Sequence, residues 1–180
     1  MRKVEVIPHD PKWREAFEVE SKRIANALGT NVIAVHHIGS TAIPGIYAKP
    51  IIDLLVEVKD LVEVDERSAS MEALSYEVMG EYGIPSRRYF RKNNQTGART
   101  HHVHTFKVGS AQVERHLAFR DYMIAHPENA QRYSELKRRL AKEYPTNIDG
   151  YIDGKDGFIK AMDGNAAQWR TLRTETQPTS

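Results

Sequence analysis

The chain contains no cysteine, which excludes disulfides, thiolate metal sites and a cysteine nucleophile. It also lacks any stretch approaching the ~20 consecutive apolar residues of a membrane helix. Neither sign of charge dominates. Lys and Arg number 26 against 24 Asp and Glu, a formal net charge of +2, so charge balance argues against a nucleic-acid partner. The opening MRKVEVIPHDPKW has neither an apolar segment nor a small-residue cleavage site, so no secretory signal is read and cytoplasm is the expected compartment. Repeats, low-complexity tracts and linkers are missing too. What is there is 180 residues, 40% hydrophobic and 28% charged. That is the length of one ordinary domain, and the modest apolar share leaves room for an exposed working cleft. Residues 1–170 read as that single domain, and residues 171–180 as a disordered tail. Oligomeric state is not legible.

Asp10-Pro11 predicts a helix start, with the aspartate as cap and proline in the first helical position. Trp13, Phe17, Ile24 and Leu28 then recur at helical spacing until Gly29. The β-branched run Val32 to Ile38 predicts a strand that meets the small-residue turn Gly39-Ser40-Thr41. Ile51 to Val58, nearly continuous in Val, Ile and Leu, predicts an interior strand. A helix is expected over Ser70 to Met79, closed by Tyr82-Gly83 and Pro85. Two further strands are expected over Arg87 to Arg91 and His101 to Val108, joined by the turn-rich KNNQTGA. The remainder is helical. Gln112 to Ala125 is expected to bury Val113, Leu117 and Ile124, and His126-Pro127 restarts a helix ending near Tyr144-Pro145. A last helix is expected over Tyr151 to Met162, although each interior glycine costs a helix ~1 kcal/mol relative to alanine. Strands early and helices late make an α+β fold.

Chemistry concentrates in residues 37 to 58, HIGSTAIPGIYAKPIIDLLVEV. Gly39 lets the backbone approach a ligand, and Ser40 offers a hydroxyl and an amide to a phosphate oxygen. Asp53 stands inside an apolar strand, where a carboxylate needs a cation beside it. A divalent metal serves, and so does Lys49; a local turn cap is the third reading. Strand alternation puts Asp53, Leu55 and Glu57 on one face, with the two acids ~13 Å apart, too far to share one ion. His102 and His104 likewise share a face. They read as metal ligands, as a general base, as phosphate contacts, or as plain strand histidines. Arg87, Arg88, Arg91, Lys92 and Arg99 fall within thirteen residues around Tyr89 and Phe90. Arginine forks suit phosphate oxygens, and the other reading is a solvated edge guarded by charge. Glu114, Arg115, Arg120 and Asp121 read as ion pairs fixing a helix, and His36 and His37 as structural flanks of the turn. Tyr151 and Lys155, four apart, share a helical face.

The segment GSTAIPGIYAKPIIDLLVEV resembles the signature of the GrpB family (UPF0157). The resemblance continues through RRYFRK, RTHHVHTF and ERHLAFRDYMIAHP, then Tyr151, Lys155 and Phe158-Ile159, covering roughly residues 5 to 160. It implies a polymerase-β-like nucleotidyltransferase fold, a mixed sheet packed with helices, in which a glycine-serine turn precedes a strand bearing two alternating acids. Gly39, Ser40 and Asp53 match that pattern, while Leu55 stands where the second acid belongs. The resemblance implies transfer of a nucleotidyl group from a nucleoside triphosphate to a small molecule or protein. Asp53 and His104 would be catalytic, and Asp53, His102 and His104 would hold a divalent metal, Mg²⁺ or Mn²⁺, with Zn²⁺ also suited to the imidazoles. The triphosphate, or another phosphorylated small molecule, would meet Gly39, Ser40, Thr41, Lys49, Arg87, Arg91 and Lys155. The alternative is a non-catalytic nucleotide- or metabolite-binding or chaperone-like assembly module, because similar domains occur fused to dephospho-coenzyme A kinases.

Overall fold

Residues 3–176 are described by the computed structural model. They are built on a mixed five-stranded sheet in the order β1 (Val32–Ile38), β2 (Ile52–Val58), β5 (Arg99–Lys107), β4 (Arg87–Asn93) and β3 (Glu77–Val78). Only β2 and β5 are parallel, and every other neighbouring pair is antiparallel. The apolar run around Asp53 thus lies between two partners, as its Val, Ile and Leu content requires. The α+β expectation holds.

Strand alternation sorts the side chains into two faces. Ile52, Leu54, Val56, Val58, Phe90 and Val103 form one, sealed by Trp13, Ile24 and Leu28 of α1 (Lys12–Leu28). Val64 of α2 (Leu61–Glu66) and Met71 of α3 (Ser68–Ala73) complete that core. Full burial of an Ile or Leu here contributes roughly 1.5–3 kcal/mol. Asp53 and Leu55 stand on the other face with their ladder partners Ile38, His102 and His104, and Phe106 follows two residues on. Part of it is covered by α4 (Ala111–Ala125), whose Val113 packs on Ile38, Leu55 and Phe106. Two more helices, α5 (Pro127–Glu143) and α6 (Ile148–Thr176), join α4 around Ile43, Ile46, Met123, Tyr133 and Met162. The polar working face of the sheet therefore meets the seam between two hydrophobic cores.

Several local expectations are corrected. The helix expected over Ser70 to Met79 is the short α3 followed by the strand β3, because Ser75 takes φ of +73° and ends the helical run, and α2 precedes it unforeseen. Asp60 starts α2 by accepting the Val62 amide at 2.9 Å. At the first helix, Asp10 accepts the Lys12 amide at 2.9 Å, so the helix begins one residue after Pro11. Ile124 is exposed, and α4 instead buries Val113, Ala118, Tyr122 and Met123. The acidic and basic residues of α4 pair mainly with α6. Arg170 reaches Glu114 at 2.6 Å and Asp121 at 2.7 Å, and Arg115 meets Asp163 at 3.3 Å. Arg120 turns the other way, to the His37 carbonyl at 3.2 Å.

The last helix is far longer than expected. Gly154 brings α6 against α5 so closely that a Cβ there would sit 2.5 Å from Leu140 Cδ2. The helical penalty of such a glycine is offset by this packing. Residues 171–176, read as the start of a tail, continue the helix: Thr174 Oγ1 donates to the Arg170 carbonyl at 3.3 Å, and Arg173 lies over the Trp169 ring. The rest of the expected tail, 177–180, lies outside the described residues. Among the described residues no helix is long and apolar enough to cross a membrane.

Candidate functional site

Where β1 ends, Gly39 turns the chain with φ of +75° into a single 3-10 turn over Ser40–Ala42. The turn presses on β2, and a Cβ on Gly39 would sit 2.5 Å from Asp53 Oδ2. Only glycine satisfies both the left-handed backbone and the space.

Asp53 is held from the other side by two imidazoles. His102 Nδ1 lies 3.1 Å from Asp53 Oδ1, and His104 Nε2 lies 3.6 Å from the same oxygen. Behind each ring stands an arginine: Arg99 Nη1 is 3.5 Å from His102 Nε2, and Arg87 Nη1 is 3.3 Å from His104 Nδ1. A guanidinium only donates, so these contacts suit rings that offer a lone pair to the arginine and a proton to Asp53. Burial works to raise the Asp53 pKa, but the hydrogen bonds from His102 and His104 outweigh it and hold the carboxyl well below the usual carboxylate range.

The expected metal ligands Asp53, His102 and His104 do stand together, each imidazole lying between Asp53 and an arginine. Among the described residues no group of three His, Cys, Asp or Glu side chains is arranged to hold a metal ion. Leu55, fully buried in the small core below α4, stands in place of a second acid. Glu57 is also turned away, with His36 Nε2 at 2.7 Å from its carboxylate. His37 is structural as expected: its Nε2 is 2.9 Å from Thr41 Oγ1, and its ring stacks on Phe17.

A cavity of about 250 Å³ opens between the turn, the end of β2 and helices α5 and α6. Ser40, Thr41, Lys49, Asp53, His102, Tyr151 and Lys155 line it, and so does Lys137. Three lysine side chains thus share one small space with a single carboxylate. The Lys137 side chain is 1% exposed, donates to the Tyr47 carbonyl and lies 4.4 Å over the Tyr133 ring. Burial foremost, then the nearby Lys155, pushes its pKa down to about 6. Lys155 sits 4.6 Å over the Tyr151 ring; burial and then Lys49 push it down to about 8, while Asp53 works in the opposite direction. Lys49 stands over the same ring at 5.3 Å. Tyr151 is fully buried, and its hydroxyl has no hydrogen-bond partner.

Of the residues singled out in the sequence, the fold gathers Gly39, Ser40, Thr41, Lys49, Asp53, His102 and Lys155 at this cavity, with His104 one step behind. Arg87 and Arg91 do not line it. Arg87 is buried and donates to the Glu81 and Tyr82 carbonyls at 3.1 and 2.9 Å, so its fork is spent on the loop before β4. Arg91 makes a two-pronged pair with Glu77 at 2.8 and 3.2 Å. Sequence reasoning missed Lys137. Its signal is a lysine on the apolar stripe Ala130, Tyr133 and Leu140 of α5, all buried.

The fold is that of the nucleotidyltransferases. Terminal uridylyl transferase 4 from Trypanosoma brucei, solved with bound dUTP, superimposes with a TM-score of 0.51 at 12% identity, over 96% of this chain and 57% of that one. Within that class the chain belongs to the GrpB family, whose model, described as GrpB protein, matches residues 3–164. It is 47% identical to the UPF0157 protein YqkA of Bacillus subtilis (strain 168) over 172 residues, 96% of this chain and 50% of that one. The chain therefore spans half the length of this curated relative. The crystal structure of conserved protein GrpB from Enterococcus faecalis matches with a TM-score of 0.88 at 42% identity, over 92% of this chain and 99% of that one.

Proposed function

We propose that the protein binds a nucleoside triphosphate, or another phosphorylated small molecule, in the cavity between the Gly39-Ser40 turn and helices α5 and α6. The observation that carries this reading is the gathering of Lys49, Lys137 and Lys155 around about 250 Å³ with Asp53 as the lone lining carboxylate. Charge-assisted hydrogen bonds from ammonium groups to phosphate oxygens are strong in such a half-enclosed place. Ser40 and the partnerless Tyr151 hydroxyl supply neutral donors.

A divalent cation belongs to this reading as the companion of the ligand. Asp53 is the carboxylate that would hold it, with phosphate oxygens and water completing the shell, and the cation would neutralise phosphate charge. His102 and His104 orient Asp53 and keep it ionised. In this reading His104 is a positioning residue for Asp53. Nucleotidyl transfer is a second reading, favoured by the carboxylate placed beside a glycine-serine turn on this fold. In the cell the protein is assigned to the cytoplasm.

Calorimetry with nucleoside triphosphates, with and without Mn²⁺, tests the first reading. Binding is expected, and Lys49→Gln or Lys155→Gln should weaken it tenfold or more, since each such bond contributes roughly 1.5–3 kcal/mol. No binding of any nucleotide or phosphorylated metabolite at millimolar concentration overturns it. Release of pyrophosphate from a bound triphosphate selects the transfer reading, and stable binding without release selects the non-catalytic one.

A further inference from the structure

We propose that the arriving phosphate group places a proton on Lys137, so that the cavity takes up ligand and proton together. The inference rests on the phosphate-binding reading above and adds the protonation change that accompanies binding.

The geometry around Lys137 carries it. The side chain is sealed from water on α5, and its hydrogen bond goes to a neutral acceptor, the Tyr47 carbonyl. The face of the Tyr133 ring covers it at 4.4 Å. Its neighbour Arg138 points to the Tyr47 ring at 4.2 Å. Across the cavity, α6 presents Lys155 and Tyr151, and the loop before β2 presents Lys49. From the sheet come Asp53 and His102, already bonded to each other. An ammonium at Lys137 therefore has cationic neighbours and no carboxylate of its own. Burial and the Lys155 charge account for a pKa pushed down to about 6.

A phosphate in the cavity reverses that balance. It brings the missing anion next to a buried amine, and an opposite charge nearby favours the ammonium. A second observation points to the same kind of ligand: Tyr151 lines the cavity, its buried hydroxyl has no hydrogen-bond partner among the described residues, and a phosphate oxygen would be one. Size agrees as well. About 250 Å³ falls below the ~300–1,000 Å³ of sites for drug-sized ligands, so the phosphate moiety fits inside and the rest of the ligand stays outside. The empty protein at about pH 8 holds Lys137 uncharged, and the complex holds it charged. Affinity should then fall as pH rises above about 6, approaching tenfold per unit where the uptake is complete.

Titration calorimetry with inorganic tripolyphosphate at about pH 8, in two buffers of different protonation enthalpy, reads the proton uptake directly. Wild type should take up close to one proton more than Lys137→Met, and the difference cancels the ligand's own titration. Lys137→Arg, whose charge is fixed, should bind with the low uptake of the methionine variant, and it supplies the comparison if that variant does not fold. Equal uptake in wild type and variants overturns the inference while leaving phosphate binding intact. Failure of wild type to bind tripolyphosphate or any nucleotide overturns the functional reading and this inference together.

Discussion

Gly39 and Asp53 lie so close that the first carbon of any side chain on Gly39 would come within 2.5 Å of the carboxylate. The turn that offers backbone amides and the strand that offers the acid are therefore one rigid unit. Changing either should disturb both.

Gly39→Ala should destabilise the protein by roughly 1–3 kcal/mol, from the left-handed backbone and the clash together. The same change should weaken phosphate binding, because Asp53 must move off its imidazoles. Urea denaturation and calorimetry measure the two effects. An alanine variant as stable as wild type would mean that the turn shifts freely and is no constraint.

Two arginines of β4 should behave differently. Arg87→Met strands the Glu81 and Tyr82 carbonyls and takes the donor from His104, so a loss of roughly 2–3 kcal/mol in stability is expected. Arg91→Ala removes a surface pair with Glu77, whose side chain is 55% exposed, and should cost at most about 1 kcal/mol. Neither arginine lines the cavity. A tenfold loss of ligand affinity in Arg91→Ala would return it to the phosphate site.

On the far side of the sheet, Glu20 is 2% exposed and joins Tyr76 Oη at 2.6 Å and Lys92 Nζ at 2.5 Å. Glu20→Ala leaves the Lys92 charge without its buried partner and should lose roughly 3–5 kcal/mol. Tyr76→Phe removes one donor and should lose roughly 1–3 kcal/mol. Equilibrium unfolding of both variants gives the comparison, and a harmless Glu20→Ala would show that Lys92 reaches water without effort.

Burial foremost lowers His37 and His101 to about 4 and His116 to about 3. Below about 6.5 the unfolded chain binds protons that these folded rings refuse. Their contribution is whole above about 6.5 and is lost as pH falls toward 4, with a slope of up to about 1.4 kcal/mol per pH unit for each ring. Denaturation midpoints taken at about pH 7, 6 and 5 should fall steadily, and His116→Gln should flatten part of the fall. Midpoints independent of pH over that range would mean that the rings charge within the fold.

Four of the five strands were legible because their residues alternate or run apolar, and Asp53 and His102 were both visible as candidates. Their direct pairing was not, since the parallel register that sets Asp53 opposite His102 joins residues 49 apart. The role of Arg87 and Arg99 was hidden too: spacing marks a basic segment, but only the folded side chains show each guanidinium standing behind a histidine. Lys137 was the deepest omission. It sits in SELKRRLAKE, a run dense in charge, and the fold buries it against the Tyr47 carbonyl and the Tyr133 ring. The short α2 and α3 offered too few residues for a helical period.

Gly154 sits next to Lys155, and its close contact is with Leu140, one turn beyond Lys137. The distance between the two helices, and with it the gap across which the two amines face each other, is set by a hydrogen atom where other residues carry a methyl or more. The cationic wall of the cavity is calibrated from outside, by a position that touches no ligand and has no charge. A single carbon at residue 154 would widen that wall without altering any group that lines it.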